Sequence, residues 1–400
     1  MLTGHRMSRR SRRLIGLTLA SLVLAAASAP RPAHADPDDL QIRLMAETLL
    51  AQDITKGHGV TVAVLSTGVD PHTHPRSGTL RPGTDLVGLP HPKRLEGTLI
   101  ASFLGGSRLS SDLPGLAPAV DILPVRIAPD DGEHGADDWW GGGRVCDTLA
   151  RGIRYAADHG AGVVLVSAGC WGYDYEQKQM EAALDRAWSR NVVVVAPNEP
   201  VGDGNAPPLP AAVPGVIGVG TLAKDGTRWP KYSLKSSVTL VSAPGVRTPG
   251  VGPGGQPGWA FWGVPPAVAW VAATAALVRS EFPRLTPAQV AQVMAVSAHH
   301  PKNGYNPDIG FGVVNPLQAL IAAKKIEGRP VPLTAPGVRD GAHFGRPGTI
   351  GAVRHDPALL AGLGGLILVS VGALVAAVVR LRGGRRTGEA GASYPWTSAT

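Results

Sequence analysis

The chain has 400 residues, is 44% hydrophobic and carries a formal charge of +8. That length suits one large domain with terminal segments. The positive excess sits at the two ends, where residues 1–35 hold six arginines and no acid and the tail sets Arg380, Arg382, Arg385 and Arg386 against Glu389. The middle is close to neutral, which argues against a nucleic-acid-binding face and assigns the charge to targeting and topology.

Residues 1–35 read as a secretory signal peptide. Arg9, Arg10, Arg12 and Arg13 form a basic region, "LIGLTLASLVLAAA" is the apolar run, and "AHA" offers small residues for cleavage. A folded domain is expected over residues 36–326. Its first clear element is "VTVAVLSTGVD", residues 60–70, a buried strand that stops at Thr67-Gly68 with Ser66 at its carboxyl end. The following "DPHTHP" sets Asp70, His72 and His74 close together, but a Pro-rich turn without a fixed fourth ligand reads as a solvated loop, so no metal site is expected.

Further along, "DILPVRI" reads as a strand, and the acidic "PDDGEHGADDWWGGG", residues 129–143, as a flexible insertion. Helix 144–160, strand 162–169, helix 176–190 and strand 191–197 follow, with two more strands at 215–222 and 237–244. Residues 265–282, "PPAVAWVAATAALVRSEF", are apolar nearly all round and predict a central buried helix. This alternation implies an α/β fold with a mainly parallel sheet covered on both faces. Sites in such sheets lie at the carboxyl ends of the strands.

Cys146 begins a helix and Cys170 ends the strand after it. In a strand-helix-strand unit those points share one side of the sheet, so a disulfide between them is expected in an exported domain. Beyond the domain, residues 327–357 are Pro- and Gly-rich and read as a tether. Residues 358–379 carry no charge and would rise about 33 Å as a helix, enough to span a bilayer. The arginines of 380–400 place that tail on the cytoplasmic side and the domain outside.

Eight segments in order carry a resemblance: "GHGVTVAVLSTGVD", "EGTLIASFLGG", "GLAPAVDILPVRI", "VVLVSAGCWG", "NVVVVAPNEP", "PAAVPGVIGVGTL", "AVAWVAATAALVRSEFPRLTPAQV" and "GFGVVNP". Their order and spacing resemble subtilisin-like serine proteases, and with the terminal segments the chain looks most like the mycosin branch, the membrane-anchored proteases of type VII secretion systems in actinobacteria. The resemblance implies a three-layer subtilisin-like sandwich. It also implies a triad of aspartate, histidine and serine, and this sequence has Ser66, Glu96 and Pro265 at those positions. Proline has no oxygen to attack a carbonyl, and losing one triad member already costs several orders of magnitude in rate.

Ser167, Ala168 and Gly169 match the strand whose backbone pairs with substrate in active relatives, so extended peptide binding could outlast catalysis. Asn198 resembles the oxyanion asparagine, but its turn is about two residues short and flanked by prolines, which favours a plain turn residue. The expectation is an exported, membrane-anchored pseudoprotease with a structural or regulatory role in a type VII secretion membrane complex, needing no cofactor. Its rivals are an active serine endopeptidase with relocated residues, such as Ser66 with His72, His74 or His91, and a cell-surface peptide-binding protein.

Overall fold

Continuous apolar runs become strands buried on both faces. In β1 (Thr61–Ser66) every residue is buried, and Val62, Ala63, Val64 and Leu65 are completely so. Val62 and Val64 face one hydrophobic core and Ala63 and Leu65 face a second. Two cores on opposite faces of one strand require three layers. The computed structural model describes residues 37–327, except 109, 111–112 and 203–205, together with Gly372. The chain divides into two compact units, residues 1–343 and 344–400.

β1 is followed by β2 (Thr84–Asp85), α2 (Leu95–Gly105), β3 (Asp121–Arg126), α3 (Ala136–Gly141), α4 (Val145–Asp158), β4 (Val163–Val166), α5 (Asp174–Ser189), β5 (Val193–Pro197), β6 (Ile217–Leu222) and β7 (Thr239–Pro244). A hairpin of β8 (Thr248–Gly250) and β9 (Trp259–Phe261) precedes α6 (Val264–Glu281), α7 (Pro287–Ser297) and α8 (Pro316–Glu327), while α1 (Pro37–Gln52) stands before β1. The main sheet runs β2-β3-β1-β4-β5-β6-β7 with every pair parallel. The chain leaves β1 toward β3 on one side and returns to β4 on the other. A crevice therefore opens at the carboxyl ends of β1 and β4.

α6 fills the centre of one face. Fourteen of its residues are buried, and Trp270 meets Phe103 of α2 edge to face at 5.3 Å. On the other face α4 and α5 cover the sheet, and Leu149, Ile153 and Leu184 are completely buried. Cys146 and Cys170 form a disulfide, with Cα atoms 5.4 Å apart.

The sequence reading left α1 unassigned and took residues 129–143 for a flexible insertion. The structure corrects the second point. Trp139 is only 2% exposed and Glu133 is buried. The reason is Arg126 at the end of β3, a guanidinium only 2% exposed that needs compensating charge. Glu133 of the acidic segment pairs with it on one side, and Asp85 on the other at 2.8 Å. The expected signal peptide 1–35, the expected span 358–379 apart from Gly372, the expected tail 380–400 and all but the first residue of the expected tether 327–357 lie outside the described residues. Among the described residues no helix is long and apolar enough to cross a membrane.

Candidate functional site

Of the residues expected to match the triad, Ser66 and Glu96 lie at the crevice, and Pro265 lies in the first turn of α6. Ser66 closes β1 in register with Arg126 of β3. Its Oγ is buried and has no hydrogen-bond partner. The backbone of Gly97 seals it, since a Cβ at Gly97 would sit 2.4 Å from that oxygen and 2.1 Å from the carbonyl of Gly68. Among the described residues no histidine bonds Ser66. His72 instead bonds Asp70 through its ring at 3.1 Å, and Asp70 also accepts from the amide of Gly254. Burial works to raise the Asp70 carboxyl, but these bonds outweigh it and hold the group below the usual carboxylate range.

Glu96 stands in the first turn of α2. The residue before the helix, Arg94, adopts φ 55° and gives no side-chain cap. Asp130, from the acidic segment, caps the helix instead and accepts from the amides of Leu95 at 2.8 Å and Glu96 at 3.1 Å. Burial pushes the Glu96 carboxyl up to about 7, a hydrogen bond from the Ser167 side chain works against the rise, and the charges of Asp130 and Asp131 add to it. Glu96 is thus partly protonated at neutral pH and faces a hydroxyl at the end of β4.

Pro265 occupies the first turn of α6, one residue after Val264, and the helix follows Gly263, whose φ is 88°. Proline belongs in a first helical turn, where its missing N–H would be unpaired anyway. The residue there has no heteroatom to serve as a nucleophile.

Asn198 is fully buried. Its Nδ2 lies 2.9 Å from Leu234 O, 2.9 Å from Ser236 Oγ and 2.7 Å from Thr239 Oγ1, so the amide ties the turn after β5 to β7 and the loop before it. The next residue, Glu199, reaches the strand end 167–169, where its Oε1 accepts from the Gly169 amide at 2.7 Å. Burial lifts the Glu199 carboxyl to about 8, the bond from Gly169 opposes the rise, and the charge of Glu96 adds to it. Sequence reasoning missed Glu199. Its only signal was a carboxylate beside Asn198 in a shortened turn.

The site is therefore a crevice with two glutamates whose carboxyls are raised by burial and a sealed serine, and α6 carries proline in its first turn. Among the described residues no group of three or more His, Cys, Asp or Glu could hold a metal ion.

These elements define a subtilase. The Subtilase family model matches residues 57–313, and the chain belongs to that family. Fervidolysin of Fervidobacterium pennivorans is 30% identical over 298 residues, covering 66% of this chain but only 41% of fervidolysin. Mycosin-1 of Mycobacterium tuberculosis is 31% identical over 321 residues, covering 68% of this chain and 70% of that protein. Among solved structures, the periplasmic assembly from the ESX-5 inner membrane complex matches with a TM-score of 0.56 and 27% identity, over 72% of this chain and 86% of the matched one. The similarity to the mycosin branch is thus one of sequence and of fold.

Proposed function

We propose that this chain is a non-catalytic mycosin-like subtilase, exported, anchored by residues 358–379, and acting as a structural or regulatory part of a type VII secretion membrane complex. The observation that carries the first part is Pro265. The helix that presents the nucleophile in active relatives carries here, in its first turn, a residue that cannot attack. Ser66 and Glu96 at the other two triad positions support the same reading, because neither can orient and polarise an imidazole that is absent. The secretion assignment rests on similarity to mycosin-1 and to the ESX-5 periplasmic assembly.

A second reading has one observation in its favour. Glu96 faces the hydroxyl of Ser167, a carboxylate beside a candidate nucleophile. Ser167 is, however, only 4% exposed, which leaves a carbonyl carbon little access to it. The test is incubation of the full chain with an unfolded protein substrate, with mass spectrometry of the products. No new termini are expected. Cleavage abolished by Ser167→Ala would establish the second reading. For the assembly, the chain should co-purify with the secretion membrane complex from detergent-solubilised membranes, and its recovery only as a free protein would remove that part.

A further inference from the structure

The strand end that offers backbone to an added peptide has one edge already used. Cys170 exchanges both of its backbone bonds with Leu209, N–H to O at 2.9 Å and O to H–N at 2.8 Å. In an antiparallel ladder the next residue turns its polar groups to the opposite edge. Gly169 therefore presents its N–H away from Leu209, on the edge where another strand would pair. Pro208 fixes the position from behind, since a Cβ at Gly169 would lie 2.8 Å from the Pro208 Cβ.

That exposed donor is not free. The Glu199 carboxylate accepts from it at 2.7 Å. The turn that carries Glu199 is held from inside by the buried amide of Asn198. Among the described residues no cation pairs with Glu199, and its charged neighbour is another carboxylate, Glu96. A buried carboxyl beside a like charge keeps its place only through bonds such as the one from Gly169.

We propose that Glu199 is a built-in plug of the peptide-binding edge, occupying the Gly169 N–H so that extended peptide pairs there only when Glu199 withdraws. The inference goes beyond the non-catalytic reading and does not depend on it, because a plugged edge limits binding whether or not bound peptide is cut. Withdrawal exchanges one hydrogen bond for the ladder of an added strand. A partner that drew Glu199 outward would open the edge.

The test compares the full chain, purified in detergent, with its Glu199→Ala and Glu199→Gln variants. The probe is a fluorescein-labelled heptapeptide of alternating Ala and Ser, read by fluorescence anisotropy. Glu199→Ala should bind the probe at least tenfold more tightly than the wild type. Glu199→Gln keeps an oxygen that accepts from Gly169 and should stay within about threefold of the wild type. Hydrogen exchange at the Gly169 amide should quicken at least tenfold in Glu199→Ala only. If that variant fails to fold, Glu199→Asp, one methylene short of Gly169, replaces it. Equal affinity of wild type and Glu199→Ala overturns the proposal. So does absence of binding by both when the Gly169 amide has been released, because the edge is then no peptide site. Cleavage of the probe would instead contradict the non-catalytic reading and leave the plug to be judged by the affinities.

Discussion

At the scale of single residues, Ser66 and Glu96, at two of the proposed triad positions, are packed against neighbouring groups. The Ser66 oxygen lies under Gly97, and Arg126 beside it already holds two carboxylates, Asp85 and Glu133. A third carboxylate at position 66 would be buried beside two that already neutralise Arg126, so Ser66→Asp should lower stability. Gly97 is the tighter constraint. Any side chain there collides with Gly68 backbone and with Ser66. Gly97→Ala should cost about 1–3 kcal/mol or more in urea unfolding, and an unchanged midpoint would show that the Ser66 pocket is looser than described. Little of this was legible in the sequence. The string shows Ser66, Glu96 and Pro265, but not that Arg126 needs Glu133, seven residues on, or that Glu199 meets Gly169 across 30 residues of chain. Such pairings depend on tertiary approach, which no local spacing encodes.

At the scale of elements, the strands and α6 could be read directly because a buried element is apolar whichever face it turns. The strand readings for β1, β3 and β5 agree with the structure to within two residues at each end. α1 could not be read, because Ile42, Leu49 and Leu50 stay exposed and blur the helical stripe. The acidic segment was misread because its composition is that of a solvated loop, whereas its charges neutralise Arg126 and cap α2. At the start of α6, Pro265 limits the unfolded chain. Pro265→Ser should therefore lower stability by about 0.5–1 kcal/mol, measured by thermal unfolding at several denaturant concentrations. Restoring all three positions, Ser66→Asp with Glu96→His and Pro265→Ser, should still yield little or no protease activity. Val264, Pro266 and the shortened turn at Asn198 remain, and Asn198 donates inward and supplies no oxyanion donor. Turnover at rates usual for the family would show that the surrounding site is intact.

At the scale of the whole molecule, the paired glutamates add a pH dependence between neutral and mildly alkaline conditions. Both titrate higher in the folded chain than the ordinary carboxylate value of about 4.3, Glu96 at about 7 and Glu199 at about 8. Between those limits the folded state holds protons that the unfolded state has released. The contribution of these two groups to stability is therefore fully present below about pH 4, falls as pH rises toward 8, and stays reduced above it. The Glu96→Gln, Glu199→Gln double variant should lose most of that slope in unfolding free energies measured from pH 5 to 9. An identical slope in both proteins would place the charge burden elsewhere.

The absence of an activated nucleophile is tested most directly by a fluorophosphonate probe, which reacts with any serine made nucleophilic by its surroundings. The full chain should remain unlabelled after prolonged exposure at pH 7 to 9, under conditions in which an active subtilase is fully modified. With Ser66 sealed, Ser167 buried and Pro265 at the proposed nucleophile position, no serine of the crevice should react. Stoichiometric labelling that maps to one serine, Ser167 above all, would contradict the account and make this chain an enzyme.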